Sequence, residues 1–251
     1  MSNGSLYTHI ENNIATVEFF HPASNSLPAE LLERIAKAFH ELSNNNNVHV
    51  IILKSEQEKA FCAGASFDEL ISVTTFEEGK QFFLGFANVI NAMRKCSKII
   101  IGRVQGKVVG GGVGLAAACD YCFATEQASV KLSELSIGIG PFVIAPVVER
   151  KIGIRAFAEL TLDALSWQNA YWAKEKGLYA KVFETIKEMD IEVNNFANKL
   201  SNYNPDALME MKKVLWKGTE NWDELLQQRA DISGRLVMSS FTKEALKKFK
   251  K

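Results

Sequence analysis

The chain has 251 residues, of which 47% are hydrophobic and 23% are charged, a composition typical of a globular protein with one large core. Lys plus Arg and Asp plus Glu number 29 each, so the chain lacks the basic excess typical of proteins that bind nucleic acid or anionic membranes. The first residues show no basic and apolar signal, and no apolar run approaches the roughly 18 residues of a membrane span, so we expect a cytoplasmic protein.

Two strands, at residues 6–11 and 14–20, are predicted first, and the Asn-Asn pair between them indicates a hairpin turn. A polar loop at residues 21–28 follows, and its Pro28 introduces a helix whose apolar residues recur at helical spacing. Residues 48–53 are a continuous apolar run of the kind that a buried parallel strand shows. Strand, helix and strand together predict a β-α-β unit.

A loop rich in small residues follows at 59–66, with the sequence Lys-Ala-Phe-Cys-Ala-Gly-Ala-Ser. Small side chains let a ligand approach the backbone, and Ser66 is suited to cap a helix that begins at this point. The first amides of such a helix have no partner within it, so the loop offers hydrogen-bond donors. A long amphipathic helix over residues 75–94 and a strand over 99–104 are predicted next.

The rest of the chain is organised around the glycine run at residues 110–114, which precedes a predicted apolar helix at 113–119. Gly110, Gly111 and Gly112 allow a tight turn whose free amides, at the positive end of the helix dipole, suit an anion or an oxyanion. The structural alternative is that the glycines only allow a helix to pack closely on a strand. Residues 112–117 match the dinucleotide fingerprint GxGxxA, but strand 121–125 follows too soon to leave room for the crossover helix of such a site. A P-loop is not indicated, because no Gly-Lys-Ser/Thr follows the glycines.

Glu134 is the one acid in an otherwise apolar stretch at residues 132–139. A carboxyl group in such surroundings has a raised pKa and can hold and release a proton near neutral pH. The alternative is a solvated glutamate in the first turn of a helix that Ser133 caps.

The four cysteines lie inside apolar segments, which is not the pattern of a disulfide-stapled secreted protein. Cys119 and Cys122 are spaced as a CxxC motif, but no second pair completes a zinc site, so packing is favoured over redox chemistry. The four histidines do not lie at metal-ligand spacing either, and we expect no metal.

From residue 142 onward the pattern predicts almost only helices, one opened by Ser166 and another by Asn204-Pro205. The tryptophans in this part supply either a subunit interface or the core; they are Trp167, Trp172, Trp216 and Trp222. Internal repeats and low-complexity tracts are absent from the sequence.

In combination these motifs resemble the enoyl-CoA hydratase/isomerase family, the crotonase superfamily. The resemblance runs through most of the chain, in the order His21-Pro22 with Asn25-Ser26-Leu27, Phe61-Cys62-Ala63-Gly64-Ala65, Gly110-Gly111-Gly112 with Cys119-Asp120, and Ser133-Glu134 with Gly138 and Pro141. Within the superfamily, the last two segments most resemble bacterial hydratases of the methylglutaconyl-CoA type, which act in leucine and isoprenoid breakdown.

The resemblance implies an α/β, crotonase-like (ClpP/crotonase) fold, a spiral of β-β-α units with perpendicular sheets. It implies a core with the acyl-CoA site over residues 1–190 and a C-terminal helical trimerisation region over residues 191–251. The expected assembly is a homotrimer or a dimer of trimers, and the expected partner is an acyl-CoA. The resemblance implies no separate cofactor, because coenzyme A is part of the substrate.

The resemblance assigns the oxyanion hole to the backbone amides of Ala65 and Gly111 and the proton transfer to Glu134. It also implies contacts with the substrate or its coenzyme A at Ser26, Leu27, Ala63, Ser66, Phe67, Gly110 and Pro141. Relatives often carry an aspartate at the position of Ser66, so the contact that this aspartate makes is not expected here.

Gly114 stands where the best-known hydratases carry a second glutamate, which orients the attacking water. A single Glu134 can move a proton from water to the α-carbon, and the closer motif similarity favours this hydration of a 2-enoyl-CoA. The missing partner favours a Δ3,Δ2-enoyl-CoA isomerase, in which one acid moves a proton between the α- and γ-carbons. A homologue that binds an acyl-CoA or a protein without turnover is the third alternative.

Two charged parts of the expected substrate require basic partners. The second carboxylate of a methylglutaconyl chain would need a basic or amide partner, for which Arg94, Arg103 and Lys131 are the candidates. The last helix resembles that of the family, but the basic residues that commonly meet the nucleotide are missing. Lys250 or Lys251 takes their place, or both belong to a solvated tail.

Overall fold

The structure is a computed structural model that describes residues 4–248. Its strands are β1 (Ser5–Glu11), β2 (Ile14–Phe20), β3 (Val50–Ser55), β4 (Ala60–Cys62), β5 (Ile99–Val104), β6 (Lys107–Val109), β7 (Tyr121–Thr125), β8 (Val130–Lys131) and β9 (Lys181–Phe183). Its α-helices are α1 (Ala29–Ser43), α2 (Phe67–Ser72), α3 (Phe76–Lys95), α4 (Gly111–Ala118), α5 (Ala145–Leu162), α6 (Ala170–Glu175), α7 (Ile186–Ser201), α8 (Pro205–Leu215), α9 (Trp222–Val237) and α10 (Ser240–Lys248). A 3₁₀ turn covers Glu134–Ile137.

A six-stranded sheet in the order β1-β2-β3-β5-β7-β9 forms the centre of the fold. Strands β1 and β2 are an antiparallel hairpin, and the pairs that follow are parallel. The hairpin turn is made by Asn12 and Asn13, both with positive φ, as a two-residue type I′ turn requires. The predicted hairpin and the predicted buried strands are confirmed.

The two faces of the large sheet are covered by different helices. Because successive side chains of a strand point to opposite faces, neighbouring residues of one strand pack against different helices. On β3, Ile51 and Leu53 belong to the main core, which also includes residues of α1, α3, α4 and α9. Val50 and Ile52 point to the opposite face, where they pack in a smaller cluster with α7. Because both faces are buried, the central strands are continuous apolar runs rather than alternating ones.

A second sheet of three short strands, in the order β4-β6-β8, positions the candidate site. Each of its strands directly follows a strand of the large sheet: β4 follows β3, β6 follows β5, and β8 follows β7. After β4 and β6 the chain enters α2 and α4, respectively, and after β8 it enters the 3₁₀ turn. The repeated β-β-α units of the prediction are therefore present, and their helical ends converge at one side of the small sheet.

Several local predictions were wrong. Ser166 does not open a helix, because the side chain of Asn169 accepts a hydrogen bond from the Trp172 amide at 2.8 Å and caps α6. The region after residue 142 is almost wholly helical, as predicted, and the exception within the described residues is the short strand β9, which pairs with β7. Helix α4 begins at Gly111, two residues earlier than predicted, and Ser133 precedes a 3₁₀ turn without capping it through its side chain.

Helix α9 packs along α3, and its residues Trp222, Leu226 and Ala230 are part of the main core. The predicted boundary after residue 190 falls within α7, and the division into core and trimerisation region stays a prediction. Of the helices in residues 4–248, none is both long enough and apolar enough to cross a membrane.

Candidate active site

A cavity of about 140 Å³ lies where the loop before α2, the glycine turn and the 3₁₀ turn meet. Its lining is mostly apolar and contains a group of aromatic side chains: Phe67, Phe82, Phe83, Phe86 and Phe142. The polar side chains in the lining are Ser133, Glu134 and Ser233. The volume is close to that of an engineered protein cavity of about 150 Å³ that accepts benzene, so a small apolar group fits.

The glycine turn has features of both roles weighed from the sequence, at different residues, and its role toward an oxyanion stays a prediction. Gly110 has φ +54° and ψ −122°, a conformation that a residue with a Cβ rarely adopts, and its amide donates to the Lys131 carbonyl at 2.9 Å. Gly111 follows as the first residue of α4, where its amide has no carbonyl partner within the helix. Gly112 instead allows packing, because a methyl group built on it would lie 2.5 Å from the Cys62 carbonyl oxygen.

The loop before α2 is held against the chain by a short parallel bridge. The Leu27 amide donates to the Gly64 carbonyl at 2.8 Å, and the Ser66 amide donates to the Leu27 carbonyl at 3.1 Å. Because successive amides of an extended segment point to opposite sides, the Ala65 amide faces away from Leu27. A methyl group built on Gly64 would lie 3.5 Å from the Gly111 nitrogen. The two loops thus bring the amides of Ala65 and Gly111 to the wall of one cavity.

The polar loop at residues 21–28 is fixed by the buried side chain of Asn25. Its amide nitrogen donates to the carbonyls of Glu56 at 2.7 Å and Ala60 at 2.9 Å, and its oxygen accepts from the His21 amide at 2.8 Å. Asn25 also has positive φ, which asparagine tolerates better than most residues. This network fixes Leu27, and Leu27 in turn fixes the loop that carries Ala65.

Most of the sequence-predicted site residues line the cavity: Ala63, Ala65, Phe67, Gly110, Gly111, Glu134 and Pro141. Ser26, Leu27 and Ser66 do not line it. Leu27 is fully buried behind the Ala65 loop, and the Ser66 hydroxyl caps α2 by accepting from the Glu69 amide at 3.3 Å. The roles assigned to all these residues toward the substrate and coenzyme A stay predictions.

The carboxyl group of Glu134 lies beside the glycine turn. A methyl group built on Gly110 would lie 2.9 Å from its Oε1, while Oε2 is inaccessible to solvent and has no hydrogen-bond partner. Burial raises the pKa of Glu134 to about 7, although a hydrogen bond from its own backbone amide acts in the opposite direction. The alternative of a solvated, capped glutamate is therefore wrong, since Oε2 is inaccessible to solvent and the Ser133 side chain does not cap the turn.

The position of a second acid is filled by hydrocarbon. A methyl group built on Gly114 would lie 2.6 Å from Cγ2 of Ile144 and 3.6 Å from Cδ1 of Ile90. A longer side chain at Gly114 would require Ile144 to move. Within residues 4–248, Glu134 is the one acidic or basic side chain in the cavity lining.

The candidate basic partners for a second carboxylate are engaged elsewhere. Arg94 pairs with Asp223 at 3.1 Å, and Arg103 forms two hydrogen bonds with Asp190, at 2.7 and 3.0 Å. Lys131 donates to a backbone carbonyl at 2.7 Å, and none of the three lines the cavity. The candidate nucleotide partners, Lys250 and Lys251, lie outside the described residues.

The CxxC pair is a packing feature, as predicted. Cys119 and Cys122 are free thiols, and a methyl group built on Gly102 would lie within 2.9 Å of both sulfur atoms. Burial raises the pKa of the Cys122 thiol to about 12 and that of Cys119 well above its usual value. Neither thiol is activated at neutral pH.

The part of the cavity wall that α3 and α9 supply was not predicted from the sequence. Phe82, Phe83 and Phe86 share one face of α3, and Ser233 of α9 lines the same cavity. Helical spacing predicts the common face of the three phenylalanines, but it does not predict which helix packs against it. Ser233 is separated from the other site residues by about a hundred residues and carries no local motif.

The family described as enoyl-CoA hydratase/isomerase matches residues 9–250 of the chain. The peroxisomal Delta(3,5)-Delta(2,4)-dienoyl-CoA isomerase of Arabidopsis thaliana is 29% identical over 88% of this chain and 84% of its own length. The short-chain-enoyl-CoA hydratase of Clostridium acetobutylicum is 28% identical over 95% of this chain and 92% of its own length. The mitochondrial methylglutaconyl-CoA hydratase of Mus musculus is 31% identical over 78% of this chain and 63% of its own length.

Among solved structures, the enoyl-CoA hydratase of Bacillus halodurans aligns with a TM-score of 0.90 at 23% identity, over 97% of this chain and 99% of that chain. At this identity the similarity is evidence for the fold alone. It confirms the predicted crotonase-like α/β fold.

Proposed function

The chain belongs to the enoyl-CoA hydratase/isomerase family, and we propose that it adds water to the double bond of a short 2-enoyl-CoA. The observation that carries this proposal is the Glu134 carboxyl, which is buried at the edge of the glycine turn with a pKa of about 7. A group that is about half protonated near neutral pH can both accept and return a proton. The names of the hydratases among the relatives support the same reaction.

In the proposed reaction the thioester carbonyl oxygen accepts hydrogen bonds from the amides of Ala65 and Gly111. The dipole of α4 adds positive potential at the same point, because Gly111 is its first residue. Both donors become more favourable as negative charge develops on the oxygen, so they lower the barrier to the enolate. Removal of one such donor typically costs about 10²- to 10³-fold in rate.

Glu134 then carries the proton in two steps. Its carboxylate takes a proton from water while the water oxygen bonds to C3, and the π electrons move through C2 to the thioester oxygen. The Glu134 carboxylic acid returns that proton to C2, which restores the carbonyl and the carboxylate. One water is added, and one acid serves both transfers.

Double-bond isomerisation is the second candidate, and the packing of Ile144 against Gly114 favours it. In a 3-enoyl-CoA, Glu134 would take a proton from C2 and return it to C4 while the double bond moves between C2 and C3. This reaction needs no water and no second acid, and an apolar cavity suits it. The isomerase of Arabidopsis thaliana among the relatives is consistent with this candidate.

For the acyl chain we propose a short group without a second charge. The cavity of about 140 Å³ suits a group about as large as benzene. Methylglutaconyl-CoA, named in one relative, has a second carboxylate, and the described lining contains no Lys, Arg or His to pair with it. An unpaired carboxylate in this lining would lose its hydration without compensation.

The first experiment measures loss of the enoyl-thioester absorbance of 2-butenoyl-CoA with the wild type and with Glu134→Gln. We expect the variant to lose about 10²- to 10⁴-fold in kcat, because the amide cannot transfer the proton. Glu149→Gln, which changes an exposed glutamate of α5, is the matched control and should keep wild-type activity.

The outcomes separate the candidates. If 2-butenoyl-CoA is untouched by the wild type while 3-hexenoyl-CoA becomes conjugated in a Glu134-dependent manner, hydration is wrong and isomerisation is right. If neither substrate reacts although both bind, the chain is an acyl-CoA-binding homologue without turnover.

A further inference from the structure

Ser233 is a buried polar residue that the proposed reaction does not use. It is 1% exposed, its hydroxyl has no hydrogen-bond partner in the structure, and it lines the same cavity as Glu134. A buried hydroxyl without a partner destabilises the folded protein, because it has lost its hydrogen bonds to water without replacement. A bound molecule that offers an oxygen would satisfy this hydroxyl.

Helix α3 contacts α9 beside Ser233 at one point and the glycine turn at another, and its rise between these points approximates the separation of the two ends of the cavity. At one end, Gly79 packs on α9, where a methyl group built on it would lie 3.3 Å from the Cα of Gly234. At the other end, the ring of Phe86 packs on Gly111. Gly79 and Phe86 are seven residues apart, which is about 10 Å along an α-helix. Ser233 therefore lies at the far end of the cavity, several bonds beyond the thioester.

The surroundings of Ser233 favour an uncharged partner. The described lining of the cavity contains no Lys, Arg or His. Lys80 of α3 is paired with Asp231 at 2.8 Å, and Arg229, one turn before Ser233 in α9, does not line the cavity. Two residues beyond Lys80 in α3 come Phe82 and Phe83, whose aromatic side chains line the same cavity as Ser233. A single hydroxyl among apolar groups suits one neutral oxygen better than a carboxylate, which needs several donors.

We propose that Ser233 is a specificity-determining residue that selects acyl chains with an uncharged oxygen, such as a hydroxyl, several carbons beyond the thioester. The proposal rests on the proposed function, in that the cavity holds the acyl chain of a CoA thioester. It concerns recognition of the chain and not the proton transfer by Glu134.

The experiment measures binding of saturated acyl-CoA pairs that differ in one group and cannot react. The pairs are 5-hydroxypentanoyl-CoA with hexanoyl-CoA, and 6-hydroxyhexanoyl-CoA with heptanoyl-CoA, with Kd measured by calorimetry. We expect Ser233→Ala to lower the preference for the hydroxylated chain of at least one pair by about three- to tenfold, the value of one neutral hydrogen bond. Affinity for the methyl-ended chains should stay the same or improve.

Thr161→Val is the matched control, because Thr161 in α5 is a second buried hydroxyl without a partner and does not line the cavity. It should keep the wild-type preference. Ser233→Cys, which keeps the size but donates weakly, should fall between the wild type and Ser233→Ala and serves if the alanine variant does not fold.

The proposal is overturned if the wild type does not prefer the hydroxylated chain of either pair, or if the preference survives in both Ser233 variants. Tighter binding of glutaryl-CoA than of both hydroxylated chains would overturn the assignment to an uncharged oxygen. Because binding is measured without turnover, these results are independent of whether 2-butenoyl-CoA is hydrated, so failure of the proposed function is seen separately.

Discussion

At the scale of single residues, Glu134 owes its chemistry to the absence of polar neighbours around its carboxyl. No positive charge and no donor reaches Oε2 among the described residues, so burial dominates and the pKa rises to about 7. Gly110 makes this arrangement possible, because any side chain there would meet the carboxyl at contact distance. Glu134 and the glycine turn are therefore one packed unit.

The raised pKa predicts the pH dependence of the reaction. Either hydration or isomerisation begins with proton removal by the Glu134 carboxylate, so activity requires the ionised form. We expect kcat/KM to rise with pH and to level off above an apparent pKa near 7 in the free enzyme. The measurement is kcat/KM for 2-butenoyl-CoA between pH 5 and pH 9, and a midpoint near 4.5 would contradict a buried acid.

Single residues also mark the limit of what the sequence predicts. Glu134 and the glycine turn were predictable because their partners are within about 25 residues, in a motif that can be read along the chain. The backbone bridge between Leu27 and the loop that carries Ala65, and the position of Ser233, were not predictable. Each depends on a contact between distant segments, and the residue types themselves are common in ordinary cores and helices.

At the scale of elements, α4 packs closely on the start of α5, where Gly114 of α4 contacts Ile144, the residue that precedes α5. We expect Gly114→Ala to destabilise the protein by about 1–3 kcal/mol, because the added methyl group would lie 2.6 Å from Ile144. Ile144→Ala should also destabilise it, but the double variant should be more stable than the sum of the two losses predicts. Chemical denaturation of the wild type, the two single variants and the double variant gives the coupling energy between the two sites. If the two losses of stability simply add, contact with Ile144 is not what excludes a larger side chain at Gly114.

Predictability of the elements followed their length. Strands β2 and β5 were predicted with their observed bounds, because six or seven apolar or alternating residues make a clear pattern. Strands of two or three residues, such as β4, β6 and β8, are too short to show a period, and they exist because each pairs with its neighbours in the small sheet. Helix α6 shows a third case, in which the helix begins three residues after the predicted cap, Ser166, and Asn169 is the observed cap.

At the scale of the whole molecule, exposed apolar side chains after α5 bear on the assembly. Leu162 is 78% exposed and Leu165 is 72% exposed, and the half-exposed Trp167 lies beside them in the chain. Trp222, in contrast, is buried in the main core, and Trp172 and Trp216 pack against that core, so three of the four tryptophans belong to the core alternative. We propose that the exposed group is part of the interface of a homotrimer.

The corresponding prediction is that Leu165→Asp lowers the molar mass in solution toward that of one chain, 27.9 kDa. A charge placed in an apolar interface loses its hydration when copies associate, so the complex should dissociate. Light scattering coupled to size exclusion measures the change, and Leu162→Ala, which shortens the side chain without adding charge, is the milder control. A wild type that already runs as a single chain would contradict the proposed interface.

Helix α9 lines the cavity and α10 packs against the 3₁₀ turn behind it, although both helices lie near the end of the sequence. Helix α9 supplies Ser233, and α10 packs on the 3₁₀ turn, where Phe241 and Thr242 would both lie 2.5 Å from a methyl group built on Gly138. During synthesis, therefore, a nascent chain that has emerged only as far as α8 already contains both amides and the acid but has an open cavity. Its phenylalanine-rich face of α3 stays exposed until α9 leaves the ribosome, and this interval is when the chain is most prone to aggregation.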